Sequence, residues 1–273
     1  MTIPEPTIRP FKTVDGHELN MHIFDSRNGA KGARRPAIVF FFGGGWRKGT
    51  PAQFYPHCRY LATRGMVAAA AEYRVHSVHG TTPVECVRDG KSAVRWMREH
   101  AGELGIDPKR LAAGGGSAGG HVAATTAFIE ELDDESPEVS SRPDALVLFN
   151  PVLDTSETGY VSEVMGENAE RLSPLYHVKP SGPPTIVFHG VDDTTVPYAS
   201  AMAFEKAMSK HGNDCALHGY EGKGHGFFNF GRNENIAFVD TVTETDRFLS
   251  GLGWLDGAPS VEAFVSEFEK TKG

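Results

Sequence analysis

Hydrophobic positions change period several times along the chain, and each change marks an element. Phe11 to Phe24 alternates apolar and polar residues around Asp15-Gly16, the pattern of two antiparallel strands joined by a tight turn. A polar, glycine-bearing loop from Gly29 to Pro36 follows. Ala37 to Phe42 is then continuously apolar, as expected of a strand covered on both faces. From there the chain alternates. Helical spacing over Pro51 to Arg64 precedes a strand over Met66 to Tyr73, and Pro83 to Glu103 carries Val87, Ala93, Val94 and Met97 on one helical stripe. A turn at Ile106 to Lys109, a strand over Arg110 to Ala113 and a helix over Ala118 to Leu132 come next. Further strands are predicted at Ala145 to Phe149, Thr185 to His189 and Ala216 to Tyr220, with helices over Ala199 to His211 and Ile236 to Leu252.

A hairpin followed by repeated strand-helix units predicts an α/β fold with a mostly parallel central sheet and helices on both faces. With neither repeats nor low-complexity tracts, residues 1–273 are expected to form one domain, its tail after Gly253 either a short terminal helix or loosely attached. Asp133 to Arg142 reads as an acidic surface connection. Asp154 to Lys179 is polar and breaks the strand-helix rhythm. Such insertions sit at the carboxyl edge of α/β sheets, so it is expected to form a lid or part of a pocket.

Composition narrows the function classes. There are 27 Lys and Arg against 35 Asp and Glu, a net charge of -8, which argues against a nucleic-acid partner. Apolar runs fall far short of the ~20 residues that span a bilayer. The first residues lack the basic start and apolar stretch of a secretion signal, so a cytoplasmic protein is the default expectation; a chain whose signal had been removed would look the same. Cys58, Cys86 and Cys215 lack metal-ligand spacing and are too few for a disulfide scaffold. A Cys58 to Cys86 bridge is disfavoured because their helices should lie on opposite faces of the sheet.

Leu111 to His121 contains Gly115-Gly116-Ser117-Ala118-Gly119, a G-x-S-x-G elbow in which a strained strand-to-helix turn exposes a serine oxygen. A side chain at Gly115 or Gly119 would collide with neighbouring backbone in so tight a turn. The Ala118 amide, at the helix start, faces any anion formed there. The same run also fits the dinucleotide pattern G-x-G-x-x-G, but no acidic residue closes the next strand as that reading requires. Phe42-Gly43-Gly44-Gly45-Trp46 ends an apolar strand with uncovered amides, suited to the other half of an oxyanion hole. Trp46 follows as a pocket wall. After the strand ending at His189, Asp192 and Asp193 could each orient a histidine, or serve only turn chemistry. Among 12 histidines, His225 stands out because Ser117, Asp193, His225 follow the chain order serine, acid, histidine. His76 and His79 lack a third metal ligand at a fitting spacing, and His121 is expected to pack or hydrogen-bond locally.

Together, Gly43-Gly44-Gly45-Trp46, Gly115-Gly116-Ser117-Ala118-Gly119-Gly120, His189 to Pro197 and Gly224-His225-Gly226-Phe227-Phe228 resemble the α/β-hydrolase superfamily over about Phe11 to Leu252. They are similar in particular to esterases grouped with hormone-sensitive lipase and with bacterial acetyl xylan and feruloyl esterases. The resemblance implies Ser117 as nucleophile, His225 as base, Asp193 as acid, and Gly44, Gly45 and Ala118 as oxyanion donors. It also implies a small-molecule or oligosaccharide ester as substrate, with short acyl groups, acetyl or feruloyl groups on plant polysaccharide fragments among them. Phe42 stands where the family carries a histidine that braces the glycine loop. Trp46 and Phe227 are expected to shape the substrate pocket, and no cofactor or metal is called for. A peptidase with the same triad and a non-catalytic binding protein on the same fold remain as alternatives.

Overall fold

The computed structural model describes residues 3–26, 34–133, 135, 138–156 and 160–271. Strand β1 (Thr7–Val14) turns through Asp15 and Gly16, both at positive φ, into β2 (His17–Phe24). This is the expected Asp-Gly hairpin, whose two central residues both need the left-handed region. Six further strands follow: β3 (Arg35–Phe41), β4 (Val67–Ala71), β5 (Ile106–Gly116), β6 (Ala145–Phe149), β7 (Thr185–Gly190) and β8 (Cys215–Tyr220). They form one sheet of order β1-β2-β4-β3-β5-β6-β7-β8. β1 with β2 and β2 with β4 pair antiparallel, and every later pairing is parallel.

The connections carry α1 (Tyr55–Thr63), α2 (His76–His79), α3 (Pro83–Glu99), α4 (Ala101–Leu104), α5 (Ala118–Phe128), α6 (Tyr160–Met165), α7 (Tyr198–Lys210), α8 (Ile236–Gly251) and α9 (Val261–Lys270). The sheet divides two cores, and alternate strand residues feed each. Ala37, Val39 and Phe41 face the side of α3, α5 and α7, while Ile38 and Phe40 face α1, α8 and α9. Cys58 and Cys86 belong to opposite cores and are free thiols. No helix among the described residues is long and apolar enough to cross a membrane.

Several boundaries differ from expectation. The helix expected over Pro83 to Glu103 breaks at His100 and ends at Gly105 in the left-handed region. The predicted turn at Ile106 to Lys109 is the start of β5; a register shift between Arg35 and Ala37 accommodates it, with Pro108 between the two paired stretches. α5 stops at Phe128 because Ile129 turns extended, its carbonyl taken by the buried Lys91 ammonium at 2.6 Å. The tail is a packed helix, α9, which buries Val261, Phe264, Val265 and Phe268. Most of the loop expected over residues 29–36, and parts of the connections 133–142 and 154–179, lie outside the described residues.

Candidate active site

β5 delivers Ser117 to the carboxyl edge of the sheet and α5 leaves from it. Ser117 has φ 54° and ψ -122°, a strained combination for a residue with a side chain. Neighbours hold it there: its amide donates to the Phe149 carbonyl at 2.9 Å, and its carbonyl accepts from the His121 amide at 3.0 Å. The turn is tight enough that a Cβ on Gly119 would stand 2.1 Å from the Phe41 carbonyl oxygen, which is why that position admits only glycine.

The loop after β7 supplies a carboxylate and the loop after β8 an imidazole. His225 Nδ1 donates to Asp193 Oδ2 at 2.7 Å, and His225 Nε2 lies 3.0 Å from Ser117 Oγ. This geometry fixes the neutral tautomer with the proton on Nδ1, leaving Nε2 free to accept from the serine. The other oxygen of Asp193 accepts from the amides of Thr195 at 2.8 Å and Val196 at 3.0 Å. Burial opposes the charge of Asp193, but His189, His225 and the Val196 amide outweigh it and hold the carboxyl far below the usual range. Asp192 points elsewhere, accepting from the Gly222 amide at 2.7 Å and bracing the loop that carries His225.

The glycine loop after β3 lies against the elbow, since a Cβ on Gly43 would stand 3.3 Å from Ser117 Cβ. Gly44 has φ 128°, and a Cβ there would meet the Lys48 carbonyl oxygen at 1.9 Å, so the loop cannot take this shape with another residue. Arg47 and Lys48 donate their amides back to the Gly44 carbonyl. Among the described residues the Gly44 and Gly45 amides donate to no protein acceptor, and the Ala118 amide heads α5, where helical amides have no acceptor of their own.

Phe42 occupies the bracing position differently from a histidine. Its ring stacks on Tyr73 at 4.2 Å, and the Tyr73 hydroxyl donates to the Phe42 carbonyl at 2.6 Å. Gln53 completes the brace. It accepts from the Gly43 amide at 2.7 Å and donates to Asn229 Oδ1 at 2.9 Å, while Asn229 donates to the Gly226 carbonyl at 2.8 Å. Asn150 adds a bond from the opposite side, accepting from the Gly226 amide at 2.9 Å. Gln53 thus joins the glycine loop to the histidine loop, and Asn150 holds the histidine loop alone.

A cavity of about 710 Å³ opens over Ser117 and His225. Trp46 lines it with Val152, Val161, Val196, Phe228 and the glycine loop. Trp46 Nε1 donates to His121 Nδ1 at 3.2 Å, and His121 Nε2 donates to the Leu172 carbonyl at 2.8 Å. His121 hydrogen-bonds as expected, but to partners 75 and 51 positions away, and so ties the pocket wall and the 154–179 segment to the elbow helix. Complete burial pushes its pKa down to about 4, against the Leu172 carbonyl's upward pull. Phe227 lines an adjoining cavity, which shares His225 and Arg232 with this one. Its ring packs on Tyr220 at 4.7 Å and edge-on against Phe228 at 6.3 Å, and Phe228 lines the larger cavity. His76 and His79 lie on α2, and among the described residues no group of three or more His, Cys, Asp or Glu could hold a metal.

The chain is similar to known families and to solved structures. Residues 21–159 match the family described as BD-FAE, and residues 144–245 match the prolyl oligopeptidase family. The solved apo structure of Thermogutta terrifontis esterase 2 shares 46% identity with a TM-score of 0.89, covering 94% of this chain and 98% of that one. The chain belongs to the α/β-hydrolase serine esterases. Other structures of the Thermogutta protein, at similar identity, are described as propionate bound and butyrate bound. Two relatives from Mycobacterium tuberculosis also align. "Probable carboxylic ester hydrolase LipM" is 32% identical over 62% of this chain and 44% of its own length, and esterase LipQ is 29% identical over 72% and 51%. The chain thus spans about half the length of these curated relatives. Within this α/β-hydrolase, Gln53, Tyr73, Asn150 and Asn229 stand outside every motif legible in the sequence, and only their distances identify them.

Proposed function

We propose that the protein hydrolyses short-chain carboxylic esters through an acyl-enzyme on Ser117. The observation that carries this reading is the unbroken relay from Ser117 Oγ through His225 to Asp193, at 3.0 and 2.7 Å. Ser117 attacks the ester carbonyl carbon and its proton passes to His225 Nε2. The tetrahedral oxyanion accepts from Gly44, Gly45 and Ala118. The bond to the alcohol oxygen then breaks as His225 returns the proton to that oxygen. Water repeats the sequence on the acyl-enzyme, giving up a proton to His225 and restoring Ser117 as the acid departs. Asp193 stays ionised throughout and steadies the imidazolium.

A short acyl group suits a cavity walled by Trp46, Val152 and Phe228, and relatives described with propionate and butyrate bound support the same range. Acetyl groups on plant polysaccharide fragments, with feruloyl groups as the larger case, are the substrates proposed within this class. The match to the prolyl oligopeptidase family over residues 144–245 favours a peptidase as the second reading.

One screen decides. 4-Nitrophenyl acetate, propionate and butyrate, acetylated xylan, methyl ferulate and a peptide anilide are compared, and mass spectrometry follows reaction with diethyl 4-nitrophenyl phosphate. The expected result is ester turnover with a phosphoryl adduct on Ser117; preference for the anilide, or labelling elsewhere, overturns the reading.

A further inference from the structure

We propose that Arg232 recognises a carboxylate on the alcohol part of the substrate, so that the preferred ester is anionic. This rests on the esterase reading above. The chain as a whole is acidic, with a net charge of -8. Its cavity is the reverse: Lys48 and Arg232 line it, and no aspartate or glutamate among the described residues does. Most arginines of the protein are paired, Arg35 with Asp25, Arg64 with Asp246 and Arg74 with Asp89 among them. Arg232 and Lys48 form no ion pair among the described residues, and the nearby Glu234 does not engage Arg232.

Position gives the cation its role. The guanidinium carbon of Arg232 lies 3.9 Å from where a Cβ of Gly226 would stand, immediately beyond His225. His225 must hand its proton to the leaving oxygen, so the alcohol moiety lies on this side of Ser117. Lys48 lines the cleft from the glycine loop, whereas Arg232 stands on the side of His225 and the leaving group.

The backbone that carries Arg232 is held against its preference. Asn233, Glu234 and Asn235 follow it at φ 46°, 53° and 62°, three consecutive left-handed residues with side chains, an arrangement kept only where its surroundings enforce it. The Asn235 amide donates to the Arg232 carbonyl at 2.9 Å, and the Asn235 side chain donates to Glu269 of α9 at 2.8 Å. The Arg232 amide donates to the carbonyl of Asn229, the residue bound to Gln53. The turn is thus fixed, the exposed Arg232 stands at the edge of the cleft and of the adjoining cavity, and its planar fork matches a carboxylate with two parallel N-H donors.

The test compares 3-(4-acetoxyphenyl)propanoate with its carboxamide, whose leaving groups differ only at the remote end. The wild-type ratio of kcat/KM should favour the carboxylate by roughly tenfold at low salt and fall with ionic strength. Arg232→Gln should bring the ratio close to one, and Arg232→Lys should keep most of it; the ratio cancels any effect on steps that both esters share. Equal rates on the two esters in the wild type, or a ratio unmoved in Arg232→Gln, overturn the proposal while leaving the esterase reading standing. Turnover of neither ester overturns both. Should Arg232→Gln fail to fold, the salt dependence of the wild-type ratio decides in its place.

Discussion

Two imidazoles are neighbours of Phe228, one through the cavity and one through its ring, and share almost nothing else. Phe228 lines the cavity that holds His225, and its ring also packs on His57 at 6.0 Å. His225 has both nitrogens engaged and a carboxylate behind it. His57 lies among the rings of Phe40, Phe54, Phe149, Phe228 and Phe238, and neither of its nitrogens finds a hydrogen-bond partner among the described residues. Burial alone pushes its pKa down to about 3. An imidazole is made useful by what it can pass its charge to, and desolvation without a partner locks it neutral. His121 lies between these cases, buried but bonded on both nitrogens.

The largest expected effect breaks the comparison on the His225 side. Asp193→Asn should lower kcat on 4-nitrophenyl acetate by about 10⁴-fold, because the amide favours the wrong tautomer of His225. Asp192→Asn should stay within a few-fold, since its partner is only the Gly222 amide. Equal losses in the two variants would remove the distinction between the tandem acids.

Next comes the brace. Gln53→Leu leaves the Gly43 amide and the Asn229 side chain without their partner and loosens the glycine loop. The loss should fall on kcat rather than KM, on the order of the 10²-fold lower limit for removing one oxyanion donor, and steady-state kinetics on the same ester reads it.

The smallest effect belongs to His57 and sharpens the comparison through pH. Its folded pKa is depressed below the ordinary 6.5, so between about 6.5 and 3 the unfolded chain binds a proton that the folded chain refuses. Stability contributed by this group is complete above that window and is lost on acidification. Between pH 7.5 and pH 5 the loss from His57 should be roughly 2 kcal/mol. His121 adds a loss of the same sign, whereas the stability contributed by Asp193 is held at both pH values and is lost only on further acidification through its unfolded value of about 3.9 and below. His57→Leu should remove the His57 share, read as the difference in urea unfolding free energy between the two pH values, and should leave the Ser117 relay in place. An identical pH dependence in the variant would mean that His57 is not the group titrating.

The sequence by itself determined much of this molecule. Apolar runs and their alternation placed the sheet and its two cores, because strand periodicity and burial on both faces leave a local signature. The elbow was equally legible, since a tight turn around Ser117 demands small residues at fixed offsets. Chain order singled out His225, and resemblance assigned the acid to Asp193 rather than Asp192, the carboxylate that the structure joins to the imidazole. Tertiary structure decided what has no local period. Phe227 and Phe228 are alike in sequence, yet they line different cavities that share His225 and Arg232, Phe228 the larger one over Ser117. Gln53 and Asn229 are 176 positions apart and meet as a hydrogen-bonded pair between two loops. The side chains that fix loop geometry at a sheet edge answer to distance in space, and local sequence patterns carry no record of that distance.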